Sequence, residues 1–221
     1  LQNVYREIDV VTTPDGKPVA MVHCNNCTSD IDAWIKLFGE ALTLFGIDIK
    51  KPELYDTLYG VSQKAEKDCG GLLSYNYYGS EPITGMKQGR PLFVRMPDGR
   101  MTVANVMRSL LYSSVTSLKI GIDILLEKEK IELDRVAGHG GLFKTEGVGQ
   151  KLMAAALGVP VSVSASAGEG GAWGIAVLTA YMARKVQNED LNTYLQKFVF
   201  ANDVFKTEQP DEREVQNFAE Y

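Results

Sequence analysis

The first part of the chain shows two hydrophobic periods in succession, that of a strand and that of a helix. Residues 4–12 and 19–24 are rich in β-branched positions, and the Pro-Asp-Gly sequence at 14–16 favours a turn between them. They predict an opening β-hairpin. Beyond the capping candidates at 28–30, apolar residues recur every three or four positions and predict a helix that ends at Gly46: Ile31, Trp34, Ile35, Phe38, Leu42 and Phe45.

The middle of the chain predicts a short helix, a loop and one long helix. The short helix begins at Pro52, and Gly70 and Gly71 end it. Residues 72–75 are strand-like, and glycines and prolines as far as position 97 predict a long ordered loop. Within it we mark 77–82 as a candidate functional stretch. An apolar stripe then predicts the longest helix of the chain.

The second half predicts a strand, a glycine turn, a helix and another strand. The strands are 133–137 and 159–164, the helix covers 147–157, and the turn is Gly138-His139-Gly140-Gly141. A second glycine turn at 168–171 opens a helix with one face of small residues, and the tail is expected to be mostly helical. No repeat or low-complexity linker interrupts the sequence, so we expect residues 1–221 to form one domain.

Composition and charge narrow the classes of function. A chain of 221 residues with 45% hydrophobic and 23% charged positions is ordinary for a globular protein. Its uninterrupted apolar runs are far shorter than the roughly 20 residues that cross a bilayer, so we expect a cytoplasmic protein with no membrane partner. A formal charge of -5 without a Lys/Arg block argues against nucleic acid as a partner.

The three cysteines raise the question of a metal or redox site. Cys24 and Cys27 form a Cys-x-x-Cys pair, with His23 beside it and Cys69 far along the chain. A structural zinc site usually needs four well-spaced ligands, and a thioredoxin-like motif carries a different spacer. We therefore expect buried free thiols and no metal ligands.

A strand that runs into a glycine turn and then a helix can bind an anion. Glycines let backbone N–H groups approach a ligand, and the helix N-terminus adds positive charge, which suits phosphate. The Gly138 turn has neither the Rossmann nor the P-loop spacing, and tight turn packing is the alternative explanation. Lys144 and Thr145 could contact a phosphate or a ribose hydroxyl, or be solvated residues at a helix start.

Candidate catalytic side chains are few. His139 could act as a general base, but no nearby Ser or Cys has the setting of a nucleophile. The carboxylates considered are explained more simply by helix caps and solvated helix faces: Asp30, Asp32, Asp123 and Asp134. The sequence therefore predicts no catalytic residue within this chain.

Over most of the chain, the order and spacing of these motifs resemble those of the FGGY carbohydrate kinases, and within that family those of the xylulokinase-like members. The likeness rests on the long helix from Thr102, the turn and following residues at 135–144, the helix 149–157, and Glu-Gly-Gly-Ala-Trp-Gly-Ile-Ala at 169–176. The sequence Gly79-Ser80-Glu81-Pro82 resembles the family's Gly-Glu-x-x-Pro loop, which lies near the phosphates.

The resemblance implies an α/β protein of the ribonuclease H-like, actin-like ATPase fold, with ATP or ADP and Mg2+ as cofactors. It implies the C-terminal, nucleotide-binding domain of an ATP-dependent sugar kinase, with a xylulose-like ketopentose as the sugar and a possible homodimer. The nucleotide-binding residues it implies are Gly79, Ser80, Gly138, Gly140, Gly141, Lys144, Thr145, Gly170 and Gly171.

The same resemblance implies parts that this sequence lacks. An N-terminal domain would bind the sugar and supply the Asp that deprotonates its hydroxyl, and a Gly-Thr phosphate turn would lie just before Val4. We therefore expect a fragment that is not catalytically competent alone. Two alternatives stay open: a non-catalytic binding or dimerisation module with the same fold, and an ATPase-type enzyme of the same superfamily that acts on another substrate.

Overall fold

The structure, a computed structural model, describes residues 1–164 and 170–221 and opens with the predicted hairpin. Strands β1 (Ile8–Thr12) and β2 (Pro18–Val22) are antiparallel, with Ile8 opposite Val22. The φ of 85° at Gly16 gives the turn a left-handed position that glycine adopts without strain. The prediction of an opening hairpin is confirmed.

Two helices follow where the apolar spacing predicts them. Both α1 (Ser29–Leu44) and α2 (Lys51–Val61) turn one apolar face to the core. The second helix is shorter than predicted, because a 3-10 turn at 62–64 replaces its last part and the backbone becomes extended at Ala65. The side chains buried by the two helices include Ile31, Ile35, Leu54 and Leu58.

The next strand finds a partner that the sequence did not indicate. Strand β3 (Leu72–Tyr75) is confirmed, and it pairs antiparallel with β4 (Leu92–Arg95), a segment predicted to be loop. Because β4 has only four residues and three of them are exposed, its own hydrophobic pattern is weak, and pairing with β3 determines its conformation. The loop prediction is therefore wrong for 92–95.

Helix α3 (Val103–Asp123) is the central helix of the fold and continues as a π-helical turn at 124–128. It starts at Thr102, whose side chain accepts a hydrogen bond from Asn105 N. It contacts α1, α2, β2 and β3. The segment Val103–Lys128 is long and apolar enough to cross a membrane by length and composition, but 61% of its apolar window is buried, as in a core helix.

The third sheet contains the predicted strand, turn, helix and strand. Strands β5 (Val136–Ala137) and β6 (Val161–Ser164) are parallel, and α4 (Val148–Leu157) connects them. Strand β7 (Phe205–Glu208), which was not predicted, adds antiparallel to β6. The Gln150 side chain on α4 donates to carbonyls of the central strand β6 and the edge strand β7, Val161 O at 3.1 Å and Lys206 O at 2.8 Å. The β-loop-α-β prediction is confirmed.

Three further helices complete the described chain. These are α5 (Gly170–Arg184), α6 (Leu191–Tyr194) with a π-helical turn at 195–199, and α7 (Glu212–Glu220). Asp190 and Asp211 cap the last two helices through their side chains. The main core joins α1 to α4 with β3, β6 and α7, whereas α5 contributes no buried residue to it.

Candidate functional site

The first glycine turn begins where β5 ends. Gly138 N donates to Ser162 O at 2.8 Å, which extends the pairing of β5 with β6 into the turn. A Cβ on Gly138 would lie 2.6 Å from the Phe143 ring, so that ring fills the space a side chain would need. Gly140 has φ 102° and ψ -175°, a conformation essentially limited to glycine. Close packing requires one glycine, and backbone conformation requires the other.

This turn and the start of α5 border an open cavity of about 430 Å³. A Cβ built on Gly140, Gly171 or Gly174 would meet no atom within 4 Å, so these backbone positions are open. Trp173 adds an aromatic surface. In the sequence this residue was recognised only as part of the motif at 169–176, without a role of its own. The residues that line the cavity are His139, Gly140, Gly170, Gly171, Trp173 and Gly174.

The structure thus brings together three of the predicted nucleotide-binding residues, Gly140, Gly170 and Gly171, with His139 beside them. A Cβ on Gly170 would lie 3.1 Å from His139 Cβ, which measures how closely the turn and the helix approach. The first two residues of the second glycine turn, Gly168 and Glu169, lie outside the described residues. A chain segment with open backbone on two sides and an aromatic ring suits a flat ring carrying polar substituents.

Lys144 and Thr145 follow the turn but do not line this cavity. Thr145 Oγ1 donates to Asp56 Oδ1 at 2.7 Å, which ties the residues after the turn to α2. Gly149, in the first turn of α4, packs so closely that a Cβ there would overlap Leu142 O. The turn is therefore supported from behind by the backbone of α4.

The Gly79-Ser80 loop is held by a short segment of the chain that precedes α1. Asn26 Oδ1 accepts a hydrogen bond from Gly79 N at 2.7 Å, and Asn26 Nδ2 donates to Gly79 O at 3.3 Å and Ser80 O at 3.2 Å. Asn26 itself is only 2% exposed. The N–H of Gly79 is therefore satisfied within the protein, whereas the adjacent Ser80 is exposed to solvent.

Glu81 is the anchor of the same loop and is fully buried. Its carboxylate oxygen Oε2 accepts hydrogen bonds from Asn25 N at 3.2 Å, Asn26 N at 3.1 Å and Asn26 Nδ2 at 3.1 Å. Among the described residues, Glu81 forms no ion pair. The three N–H donors offset much of the free-energy cost of burying its charge. We call Asn25, Asn26, Gly79, Ser80 and Glu81 the Asn26–Glu81 clamp.

Sequence reasoning missed Asn26 and gave Glu81 no separate role. The sequence offered only a weak signal, two adjacent asparagines directly before the start of α1. The glycine-rich loop that they contact lies more than 50 positions later. Gly89 was also overlooked. A Cβ on Gly89 would overlap the Tyr78 carbonyl, so the far end of the loop passes against its beginning at backbone distance.

The cysteines are free thiols in three different environments. Cys69 is buried, Cys24 is partly buried and Cys27 is exposed, so the expectation of buried thiols is wrong for Cys27. Burial, together with the nearby charge of Glu81, raises the pKa of Cys24 to about 12. Within residues 1–164 and 170–221, no three His, Cys, Asp or Glu side chains come together as a metal site would require.

Asp32 and Asp123, two of the four candidate carboxylates, have structural partners. Asp32 Oδ1 accepts a hydrogen bond from Tyr55 OH at 2.8 Å, and burial raises the pKa of that tyrosine to about 12. Asp123 Oδ1 pairs with Lys119 Nζ one helical turn away at 2.5 Å. Burial also raises the pKa of Asp30 at the start of α1. The positions of Asp32 and Asp123 on exposed or partly exposed helix faces fit the structural alternative. For Asp30 that alternative is wrong, because its side chain is buried and α1 has no side-chain cap.

A second and larger cavity, of about 560 Å³, lies between α3, α4 and α7 and contains none of the predicted site residues. Arg108 lines it and is 7% exposed. Its Nη2 donates to Tyr112 OH at 2.6 Å and forms an ion pair with Glu214. This pair neutralises the guanidinium internally, and the other charged side chains that line the cavity, Lys151, Glu208 and Asp211, are of both signs.

Comparison with known proteins identifies the class. The model of the FGGY family of carbohydrate kinases, C-terminal domain, matches residues 2–183. The chain therefore belongs to the FGGY family of carbohydrate kinases, as its C-terminal domain, and the resemblance inferred from the sequence is confirmed. No curated protein matches the chain by sequence.

Solved structures agree on the fold. Xylulose kinase from Lactobacillus acidophilus, in a ligand-bound crystal structure, has a TM-score of 0.69 at 16% identity, over 97% of this chain and 40% of that one. Gluconate kinase from the same organism has a TM-score of 0.59 at 18% identity, over 89% and 36%. Plasmodium falciparum glycerol kinase with ADP has 0.58 at 15% identity, over 92% and 36%.

These structures confirm the predicted fold class, an α/β domain of the actin-like ATPase fold. The chain spans about two fifths of the length of the xylulose kinase it matches. At identities below one fifth, the likeness concerns the fold alone.

Proposed function

We propose that this chain is the nucleotide-binding half of an ATP-dependent carbohydrate kinase that transfers a phosphoryl group to a sugar hydroxyl. The observation that carries the proposal is the glycine-lined cavity at the end of β5. Its backbone positions 140, 171 and 174 are open, and an aromatic ring stands beside them. Membership of a carbohydrate kinase family supports the reaction class.

The residues around this cavity fit a nucleoside. Gly140, Gly171 and Gly174 leave room for a flat base and a ribose at backbone distance, and Trp173 supplies a surface on which a base can pack. Gly170 packs against His139 and lets α5 approach the turn. Gly138 fixes the turn rather than meeting the ligand, because the Phe143 ring covers it. Gly141, Lys144 and Thr145 stay in the proposed set as neighbours of the turn, with Thr145 acting through Asp56.

The phosphates would extend toward the Gly79-Ser80 loop, in which Ser80 is exposed to solvent. ATP would supply the phosphoryl group, and Mg2+ bound with it would neutralise the charge of its phosphates. In this chain the backbone would bind and orient the nucleotide, and a further domain that closes over the site would exclude water.

The sugar and the catalytic base are proposed to belong to a further domain. A xylulose-like ketopentose is our proposed substrate, supported by the xylulose kinases among the similar structures, although gluconate and glycerol kinases share the same fold. The chain alone is proposed to be inactive. A single domain over 1–221, a homodimer and a cytoplasmic location are further parts of the proposal; the three free cysteines support a reducing compartment.

Calorimetric titration of the 221-residue chain tests the proposal. We expect saturable binding of ADP with Mg2+, and none of inorganic phosphate alone. The variant Gly140→Val should lose binding, because a side chain is strained at this φ and would fill the open wall. A folded chain that binds no ADP, or a variant that binds it unchanged, would reject the nucleotide assignment and favour the non-catalytic module.

A further inference from the structure

The Gly79-Ser80 loop has no regular secondary structure, and contacts from a distant part of the chain hold it in one conformation. Segment 76–91 lies between β3 and β4, and its own backbone bonds include a bridge between Glu81 and Met86. Two such bonds do not fix the tip. The side chain of Asn26, more than 50 positions earlier in the sequence, bonds both backbone groups of Gly79.

The geometry of these bonds selects the side chains. A side-chain amide carries an acceptor oxygen and an NH2 donor on the same carbon. A single asparagine can therefore bond both the N–H and the C=O of Gly79, as a neighbouring strand would. A carboxylate in place of Asn26 would accept from Gly79 N but would repel Glu81 and leave two backbone carbonyls without a donor. Glu81, in turn, needs only acceptor oxygens, since Asn25 N, Asn26 N and Asn26 Nδ2 all donate to it.

We infer that Asn26 and Glu81 are positioning residues that hold the exposed Ser80 in the orientation that receives the phosphates of the nucleotide. This inference rests on the proposed function. The clamp consumes the N–H of Gly79 and turns the following residue outward, where a backbone N–H and a hydroxyl can donate to phosphate oxygens. Asn25 Nδ2 approaches Ser80 Oγ at 3.4 Å, which adds a contact to the hydroxyl.

The chain contains a natural control for this inference. Asn105, 1% exposed at the start of α3, makes the same kind of contact with another glutamate. Its Nδ2 donates to Glu66 Oε1 at 3.0 Å and to Arg100 O at 2.8 Å, and its Oδ1 accepts from Glu66 N at 2.9 Å. Asn105→Asp therefore makes the same chemical change in a similarly buried asparagine that supports another loop.

The test compares ADP with adenosine in calorimetric titrations of the wild-type chain, Asn26→Asp, Asn105→Asp, Glu81→Ala and Glu81→Gln. We expect Asn26→Asp to weaken ADP binding about tenfold, as expected for one lost hydrogen bond to a charged group, and to leave adenosine binding unchanged. Asn105→Asp should change neither. Glu81→Ala removes the acceptor of all three donors and should show the same selective loss of ADP binding, whereas Glu81→Gln, which restores an acceptor oxygen, should return ADP binding to within about threefold of wild type.

Each outcome has a distinct meaning. Equal weakening of ADP and adenosine by Asn26→Asp, or no weakening of either, would overturn the positioning role while leaving nucleotide binding intact. If the wild-type chain binds neither ligand, the proposed function itself fails, and the inference fails with it. Should Asn26→Asp not fold, Ser80→Pro, which removes the N–H that the clamp presents, replaces it and must show the same selective loss of ADP.

Discussion

The two loops proposed to meet the nucleotide are built in opposite ways. The Gly138 turn follows a parallel strand and precedes a helix, and its shape depends on glycines at particular backbone angles and on close packing against α4. The Gly79-Ser80 loop has no such frame, and buried side chains from a distant segment hold it. Substitutions of glycines that fix the backbone should therefore be the most damaging in the first loop. In the second loop the most damaging substitutions should be those of the side chains that hold it.

The largest effect is expected where α4 supports the Gly138 turn. Gly149→Ala places a Cβ against Leu142 O, an atom of the backbone that cannot rotate away, and should cost about 3 kcal/mol of unfolding free energy, even though alanine favours a helix. Chemical denaturation measures it. The control Gly60→Ala, in α2 with nothing within 4 Å, should be neutral or stabilising; equal losses would contradict the packing argument.

A smaller loss is expected at the far end of the Gly79-Ser80 loop. Gly89→Ala would push the loop away from Tyr78 O and should cost about 2 kcal/mol. In contrast, Gly79→Ala should be tolerated, because the nearest atom to its Cβ, Asn26 Oδ1, would be 3.9 Å away. Thermal unfolding of the two variants side by side measures the difference. Greater damage from Gly79→Ala would show that we have misplaced the tight contact.

Backbone conformation alone is tested at Gly140. Gly140→Ala meets no neighbouring atom, so its cost should be that of the strained φ of 102°, about 1 kcal/mol. Gly141→Ala is the matched control for stability, since it has the same open space without the unusual φ. Denaturation curves for both variants decide the point, and identical stabilities would remove the conformational argument.

The smallest effect concerns Cys24, whose thiol pKa is raised by burial and, in addition, by the charge of Glu81. The raised pKa of this thiol, about 12 against an ordinary value of 9.0, means that the fold favours the protonated form. Its contribution to stability is complete below pH 9 and is lost as the pH rises toward 12. Cys24→Ser should flatten the fall in stability over that range. A steeper fall in the variant would reverse the sign we assign.

The fold was largely readable from hydrophobic spacing, because the helices that surround α3 and the β5–α4–β6 unit each carry a clear apolar face. Strands β4 and β7 were missed, since four-residue strands with exposed positions take their conformation from a partner. Within the site, glycines signalled the Gly138 turn. Asn26 gave no such signal, because its role depends on a contact across more than 50 positions.

The central position of α3 has a consequence for how the molecule unfolds. The structure describes three separate sheets of two, two and three strands, and hairpins of this size are marginally stable by themselves. Helix α3 contacts β2 and β3 directly and, through α4, the third sheet. The cooperativity of unfolding therefore depends on one helix rather than on a continuous sheet. The slowest amide hydrogens to exchange should cluster along α3. Unfolding of α3 would release all three sheets in a single transition.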